Sequence, residues 1–318
     1  MMRTAIASRL CTLLLLGASA GACAQEVSLL GGQLKVNAKD EHSFAAALNY
    51  FHPAGQYTAL SLTYLNEGHP ADHHRDGVGA QAWLRSKTVE QGLSFGVGAG
   101  QYYYFDTART TSGDYNNDHG WANMVSVSAT WHTPSRWYGQ VQASRVFPRG
   151  KDATTSLMLG AGYRFDGVRG DKLHLESRST DDTLTLSAGQ TIVNSFESER
   201  SRGSSLEYRR AIAPYIDWTV SALKEGTSAR THRSGVATQL WLIRSLDPSV
   251  ELGMGVGPYA ALDLHDVDVR QSHLAGLVSI ALRYHLNKRV VSQLTWNRVV
   301  TDYHRDSDML QLGLGATF

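Results

Sequence analysis

Cysteine is nearly missing from this 318-residue chain: there are two, Cys11 and Cys23, and both fall within the first 24 residues. Beyond them the sequence offers no thiol, so it can form neither a disulfide nor a cysteine-based metal site. Long apolar runs are missing too. After Ala24 none approaches the roughly 20 residues that a membrane helix needs, which excludes a helical membrane protein. Charge of one sign is also lacking, because 30 Lys+Arg stand against 29 Asp+Glu for a net +1 at pH 7. Nothing in that balance marks a nucleic-acid surface, and none is expected as a partner. What the chain does have is 30 Gly, 14 Tyr and 7 Trp against 7 Pro, with a mean hydropathy of -0.27. A transmembrane antiparallel β-barrel suits such a composition, since its strands need only every second residue to be apolar.

Residues 1–24 read as a secretory signal. Arg3 and Arg9 lie in a short basic start, an apolar run passes through Leu13 to Leu16, and small residues end in Ala22-Cys23-Ala24. The expected mature chain starts at Gln25.

Behind it the sequence is written twice. Residues 67–84, EGHPADHHRDGVGAQAWL, return at 225–242 as EGTSARTHRSGVATQLWL, with ten of eighteen positions identical at an offset of 158. Gly96, Val97 and Gly98 match Gly255, Val256 and Gly257, and from Val125 to Phe165 a set of residues reappears from Val278 to Phe318 at an offset of 153. The expected organisation is a signal at 1–24, a first repeat at 25–165, a connector at 166–183 and a second repeat at 184–318.

Each repeat carries eight segments of period-two alternation, of about the ten residues that a tilted strand needs to cross a bilayer. In the first they lie near 27–36, 43–51, 57–66, 77–86, 92–105, 121–132, 137–147 and 155–165. In the second they lie near 184–193, 204–212, 215–224, 235–244, 250–262, 274–285, 289–300 and 309–318. The connections alternate between tight turns and longer polar stretches, the asymmetry of outer-membrane barrels. The last strand runs Leu310, Leu312, Leu314, Ala316, Phe318. It resembles the C-terminal β-signal of Gram-negative outer-membrane proteins. That resemblance implies recognition by the barrel assembly machinery and a location in the outer membrane, among its lipids and lipopolysaccharide.

Sixteen strands allow one wide barrel or two narrow ones. On the lumen parity the seventh strands offer Gln140, Gln142, Ser144 and Gln293, Thr295, Asn297; the eighth offer Ser156, Gly160, Gly162 and Gln311, Gly313, Gly315. These side chains are small and uncharged. They point to a single sixteen-stranded barrel with an aqueous lumen, two tandem eight-stranded barrels being the alternative.

Glu67, His74, Arg75 and Gln81 match Glu225, His232, Arg233 and Gln239, which predicts lumen or loop-base contacts of the Glu to Arg or Glu to His kind. His69, Asp72, His73 and His74 are metal-ligand types close together, but the second copy replaces three of the four, so a polar loop tip and no metal is expected. Asp263, Asp266 and Asp268 are read as a solvated loop rather than a calcium site. Tyr102, Tyr103, Tyr104 and Phe105 suit an interfacial girdle, with an inward pair available to cargo. Arg145 and Arg298 share the outward parity and are expected at lipopolysaccharide phosphates. No catalytic residue and no cofactor is expected, since no Ser-His pair stands out at a strand end, Ser43 beside His42 having no counterpart in the second copy. The first functional expectation is a channel for a hydrophilic molecule such as a saccharide or exopolysaccharide. A lipid A-modifying enzyme and a structural or adhesive surface barrel are the alternatives.

Overall fold

The computed structural model describes residues 25–70, 73–86, 91–165, 181–195, 197–228, 231–263 and 271–318. The expected signal and most of the connector lie outside them. The first repeat forms β1 (Glu26–Val36), β2 (Glu41–Pro53), β3 (Thr58–Asn66), β4 (His73–Arg85), β5 (Gly92–Arg109), β6 (Tyr115–His132), β7 (Trp137–Pro148) and β8 (Thr154–Arg164). The second forms β9 (Thr183–Val193), β10 (Arg200–Ala213), β11 (Ile216–Thr227), β12 (His232–Asp247), β13 (Val250–Asp263), β14 (Gln271–Asn287), β15 (Val290–Val300) and β16 (Ser307–Thr317).

Within each repeat every strand is antiparallel to the strands it pairs with, and each repeat closes on itself. β1 pairs β8 from Glu26↔Arg164 to Val36↔Thr154, and β9 pairs β16 from Thr183↔Thr317 to Val193↔Ser307. The chain therefore makes two eight-stranded barrels, not the single sixteen-stranded one. The physical reason lies on strands other than the seventh and eighth. Ionised side chains from β1, β4, β10, β11, β13 and β14 turn inward and pair, which fills the narrow interior that eight strands leave.

Alternation sorts the faces as the pattern requires. Leu157 and Leu159 of β8 and Leu310, Leu312 and Leu314 of β16 are 53–70% exposed, while Ser156 and Gln311, at the opposite parity, are buried. The outside of each barrel is thus apolar, and the inside combines polar and charged groups with apolar clusters that include Leu30, Leu34, Met124 and Met158 in the first barrel and Tyr259, Leu277 and Met309 in the second. One expected loop is instead strand. The segment 106–120 continues the β5–β6 ladder through Asp106↔Asp118 to Arg109↔Tyr115, leaving a turn of residues 110–114.

The register also corrects one repeat match. Gly98 lies opposite Ser126 on β6, and Gly255 lies opposite Ser279 on β14, so β5 and β13 correspond at an offset of 157. The glycines 96, 98 and 100 then match 253, 255 and 257, and Tyr102 matches Tyr259. Their smallness has a steric cause: a Cβ on Gly98 would lie 2.5 Å from the Trp83 indole, and one on Gly255 would lie 2.5 Å from that of Trp241. Each indole is laid flat into the lumen against a glycine track. There its N–H donates to Ser61 Oγ at 2.9 Å or Thr219 Oγ1 at 3.0 Å.

Candidate functional site: a polar clasp inside each barrel

Glu67 follows the end of β3 and Arg75 is the third residue of β4, so a hairpin connection brings them side by side at one end of the first barrel. Both point inward and both are about 1% exposed. Arg75 donates through Nε to Glu67 Oε1 at 3.0 Å and through Nη2 to Oε2 at 2.7 Å, the two-pronged geometry in which a guanidinium and a carboxylate match best. Across the lumen, Thr154 of β8 donates its hydroxyl to Glu67 Oε2 at 2.5 Å and accepts from Arg75 Nη2 at 3.0 Å. The second barrel repeats all of this. Arg233 grips Glu225 at 2.6 Å on both prongs, and Ser307 of β16 donates to Glu225 Oε2 at 2.5 Å and accepts from Arg233 at 3.0 Å. Two buried charges in such a place are tolerated only with this saturation of partners.

A second tier lies deeper. Gln81 donates to Ser126 Oγ at 3.1 Å, and Ser126 in turn lies 2.9 Å from Ser144 Oγ; Gln239 donates to Ser279 at 2.9 Å, and Ser279 donates to Asn297 at 2.6 Å. Towards the short-turn end the two copies part company. The first barrel has Arg85 on Glu26 at 3.1 Å. The second has Arg209 bonded to Glu207 and Asp217 and stacked 4.3 Å from the Trp241 ring centre, with Arg283 on Glu251 at 2.8 Å.

The histidines do not join the clasp. His74 and His232 take the outward parity, and His74 Nδ1 lies 2.7 Å from the Gly68 carbonyl oxygen. The remaining loop histidines scatter: His69 stacks on His74 with ring centres 4.3 Å apart, and His73 reaches Asp106 at 2.8 Å. Asp72 lies outside the described residues, as do Asp266 and Asp268, and among the described residues no three metal-ligating side chains gather. Asp263 faces Arg305 at 3.7 Å. Of the aromatic run, Tyr102 is inward and fully buried with its hydroxyl donating to the Leu65 carbonyl, whereas Tyr103 stands outside against Trp121, ring centres 5.1 Å apart.

Arg145 and Arg298 both take the outward parity, yet their surroundings differ. Arg145 is exposed, 5.1 Å from the Phe147 ring centre. Arg298 is 2% exposed and is held by Asp308 through a two-pronged contact at 2.6 and 3.0 Å, so its guanidinium fork is occupied by protein.

Sequence reasoning missed a Ser-His pair. Ser94 near the start of β5 lies 3.0 Å from His132 Nε2 at the end of β6, and both are buried. The signal was available only through register, since 38 residues separate the two. Nucleophilic chemistry would need a third group to orient the imidazole, but among the described residues the buried His132 Nδ1 has no hydrogen-bond partner. The second barrel puts Glu251 and His285 at the equivalent places, 3.3 Å apart.

An even number of antiparallel strands, closure, an outward band of exposed leucines and a lumen rich in hydrogen-bonded polar side chains converge on one architecture. It is that of a Gram-negative outer-membrane β-barrel. No protein-family model matches the chain, and no curated protein matches it. Among solved structures, the N-terminal β-barrel domain of Pseudomonas aeruginosa OprF is similar at 14% identity and a TM-score of 0.37, over 45% of this chain and 99% of that one. Ail, the attachment invasion locus protein of Yersinia pestis, is similar at 13% identity and a TM-score of 0.33, over 44% and 96%. A bacterial polysaccharide outer-membrane secretin is similar at 11% identity and a TM-score of 0.22, over 94% and 99%.

Proposed function

We propose that the protein is a closed surface barrel of the outer membrane, structural or adhesive, acting through its exterior and its long loops rather than conducting solute. The carrying observation is the carboxylate, guanidinium and hydroxyl clasp, which spans the lumen of each barrel from β3–β4 to β8 and from β11–β12 to β16. A channel for a saccharide or exopolysaccharide needs a continuous aqueous path, and the buried tiers beneath each clasp leave little room for one. A lipid-modifying enzyme needs a nucleophile open to lipid, and Ser94 is 2% exposed inside the lumen. Location in the outer membrane is supported by the outward leucine band and by the closure of both sheets.

Planar-bilayer recording of the purified full chain is the test. The expected result is silence or brief, small events, with openings appearing when Glu67 and Glu225 are both replaced by alanine. Steady openings of porin size in the unaltered protein would restore the channel reading.

A further inference from the structure

Most outward positions on the second barrel are apolar, but the long-loop end of β10 and β11 breaks the pattern. Arg200, Arg202 and Lys224 are exposed there and point outward. The strand ladder gathers them: Ser204 of β10 lies opposite Lys224, Arg202 is two residues further along the same face, and Arg200 two beyond that. Cross-strand diagonals of this kind lie within reach of long side chains. None of the three makes an ion pair among the described residues. Of the carboxylates nearby, Asp308 is held by Arg298, Glu225 is held by Arg233 and points into the lumen, and Glu197 and Glu199, just before Arg200, are engaged as well. Ser204 and Gln190, at the same parity, add polar groups to the patch.

Height along the strand says what such a patch would meet. On the same face of β10, Leu206 and Tyr208 follow, and then Arg210, which pairs with Asp182 at 2.8 Å near the short-turn end. From Arg202 to Arg210 is eight residues, about 27 Å along a strand and roughly 20 Å along the axis of a barrel whose strands tilt by about 40°. Arg200 lies about 5 Å higher and Lys224, level with Ser204, about 5 Å lower, so the centre of the basic cluster stands roughly 20 Å above Arg210, somewhat less than the apolar band of about 25 Å usual for such a barrel and within what long side chains reach by extending toward the headgroups. The three cations thus span roughly 10 Å of height at the outer end of that band.

We infer that Arg200, Arg202 and Lys224 form a docking surface for the phosphorylated saccharide headgroup of a lipid in the outer leaflet. Two arginines can each chelate a phosphate through paired N–H donors, and the lysine adds a compact charge beside them. The first barrel supplies a comparison on the same scaffold, because the corresponding positions are His42, Phe44 and Asn66, and its nearby Lys35 is taken up by Asp40. The surface therefore belongs to one copy only. It is independent of whether either lumen conducts.

The test compares the full-length protein with the variant Arg200→Gln/Arg202→Gln/Lys224→Gln in mixed micelles. The probes are a diphosphorylated glucosamine lipid, the same lipid with its phosphates removed, and inorganic phosphate. Binding of the phosphorylated lipid is expected to weaken about a hundredfold in the variant, roughly fivefold per cation, and to recover in large part in Arg200→Lys/Arg202→Lys. Heat-modified migration on gels, unchanged in both variants, shows that the barrels are intact. Equal binding by the unaltered protein and the triple variant would overturn the assignment. So would equal binding of the dephosphorylated lipid, or competition by inorganic phosphate at the lipid's own affinity, which would indicate a free-anion site.

Discussion

Removing one acid from each clasp should not have equal effects, and the inequality follows from what each arginine has left. In the first barrel, Glu67→Ala strips Arg75 of both prongs and leaves it one partner, Thr154 Oγ1 at 3.0 Å. In the second, Glu225→Ala leaves Arg233 with three: Ser307 Oγ at 3.0 Å, Tyr303 Oη at 2.9 Å and the Arg305 carbonyl at 3.0 Å. Breaking a buried ion pair from one side costs about 3–5 kcal/mol, mostly as the penalty for the abandoned charge. A hydrogen bond to a charged group contributes about 1.5–3 kcal/mol, so partners beyond the repeated hydroxyl should soften the loss. We expect Glu67→Ala to fall at the upper end of that range and Glu225→Ala roughly 2 kcal/mol below it. The assay is urea unfolding in micelles read by hydrogen exchange, with peptides from β3–β4 and from β11–β12 reporting the two barrels separately. Replacing the whole pair, as in Glu67→Leu/Arg75→Met, should restore most of the lost stability. If the two single variants cost the same, or Glu225→Ala costs more, the residual partners do not carry the weight given to them here.

Three further outcomes are expected. Residues 25–165 expressed alone should insert and migrate differently before and after boiling, because β1 and β8 already close the sheet; an unfolded product would refute the independence of the first barrel. Gly98→Val should destabilise by about 1–3 kcal/mol through collision with Trp83, whereas Gly139→Ala, where a Cβ meets nothing within 4 Å, should be close to neutral; thermal melts in micelles that rank them otherwise would contradict the glycine track. Burial, helped by His74 and opposed by Asp76, lowers the His69 imidazole below its ordinary 6.5. A lowered value favours the neutral ring in the fold, so its stabilising contribution is present above pH 6.5 and is lost as pH falls through the folded value. Proteolysis of the β3–β4 hairpin should then accelerate on acidification in the unaltered protein and not in His69→Phe; equal acceleration in both would assign the effect elsewhere.

The strands were legible because alternation runs through them, with ends within about four residues of the observed bounds except at β6, which begins six residues earlier, at Tyr115. Alternation of loop length holds in the second barrel, where two-residue turns at 214–215, 248–249 and 288–289 alternate with connections of four to seven residues, but not in the first, where the strands run on into the expected loops and both ends carry connections of four to six. The number of barrels was not legible. Gln140, Gln142 and Ser144 argued for an open lumen because they are uncharged, while the charges that fill it sit on strands whose inward parity was not followed, such as Glu26 on Arg85 and Glu207 on Arg209. The Glu67 and Arg75 contact could be anticipated from its repetition at a fixed spacing. Choosing arginine over histidine as the partner required knowing that His74 and Arg75, being neighbours on a strand, must face opposite ways. Arg298 illustrates the remaining gap: parity fixes its face, but only the ladder reveals that Asp308 lies directly across from it.

The seam between first and last strand has a consequence for how such a chain can grow. In each unit the entering and leaving residues meet at the same rim, with Gln25 bonded to Phe165 and Asp182 bonded to Phe318. A unit whose two ends emerge together can be strung after another like a bead, because the joining thread need not cross a sheet or reverse a strand. Copies could be added or dropped without any surviving hydrogen-bond ladder being redrawn. Each bead, having no strand in common with its twin, is free to drift, and the basic patch found on one copy alone is the kind of difference that such freedom permits.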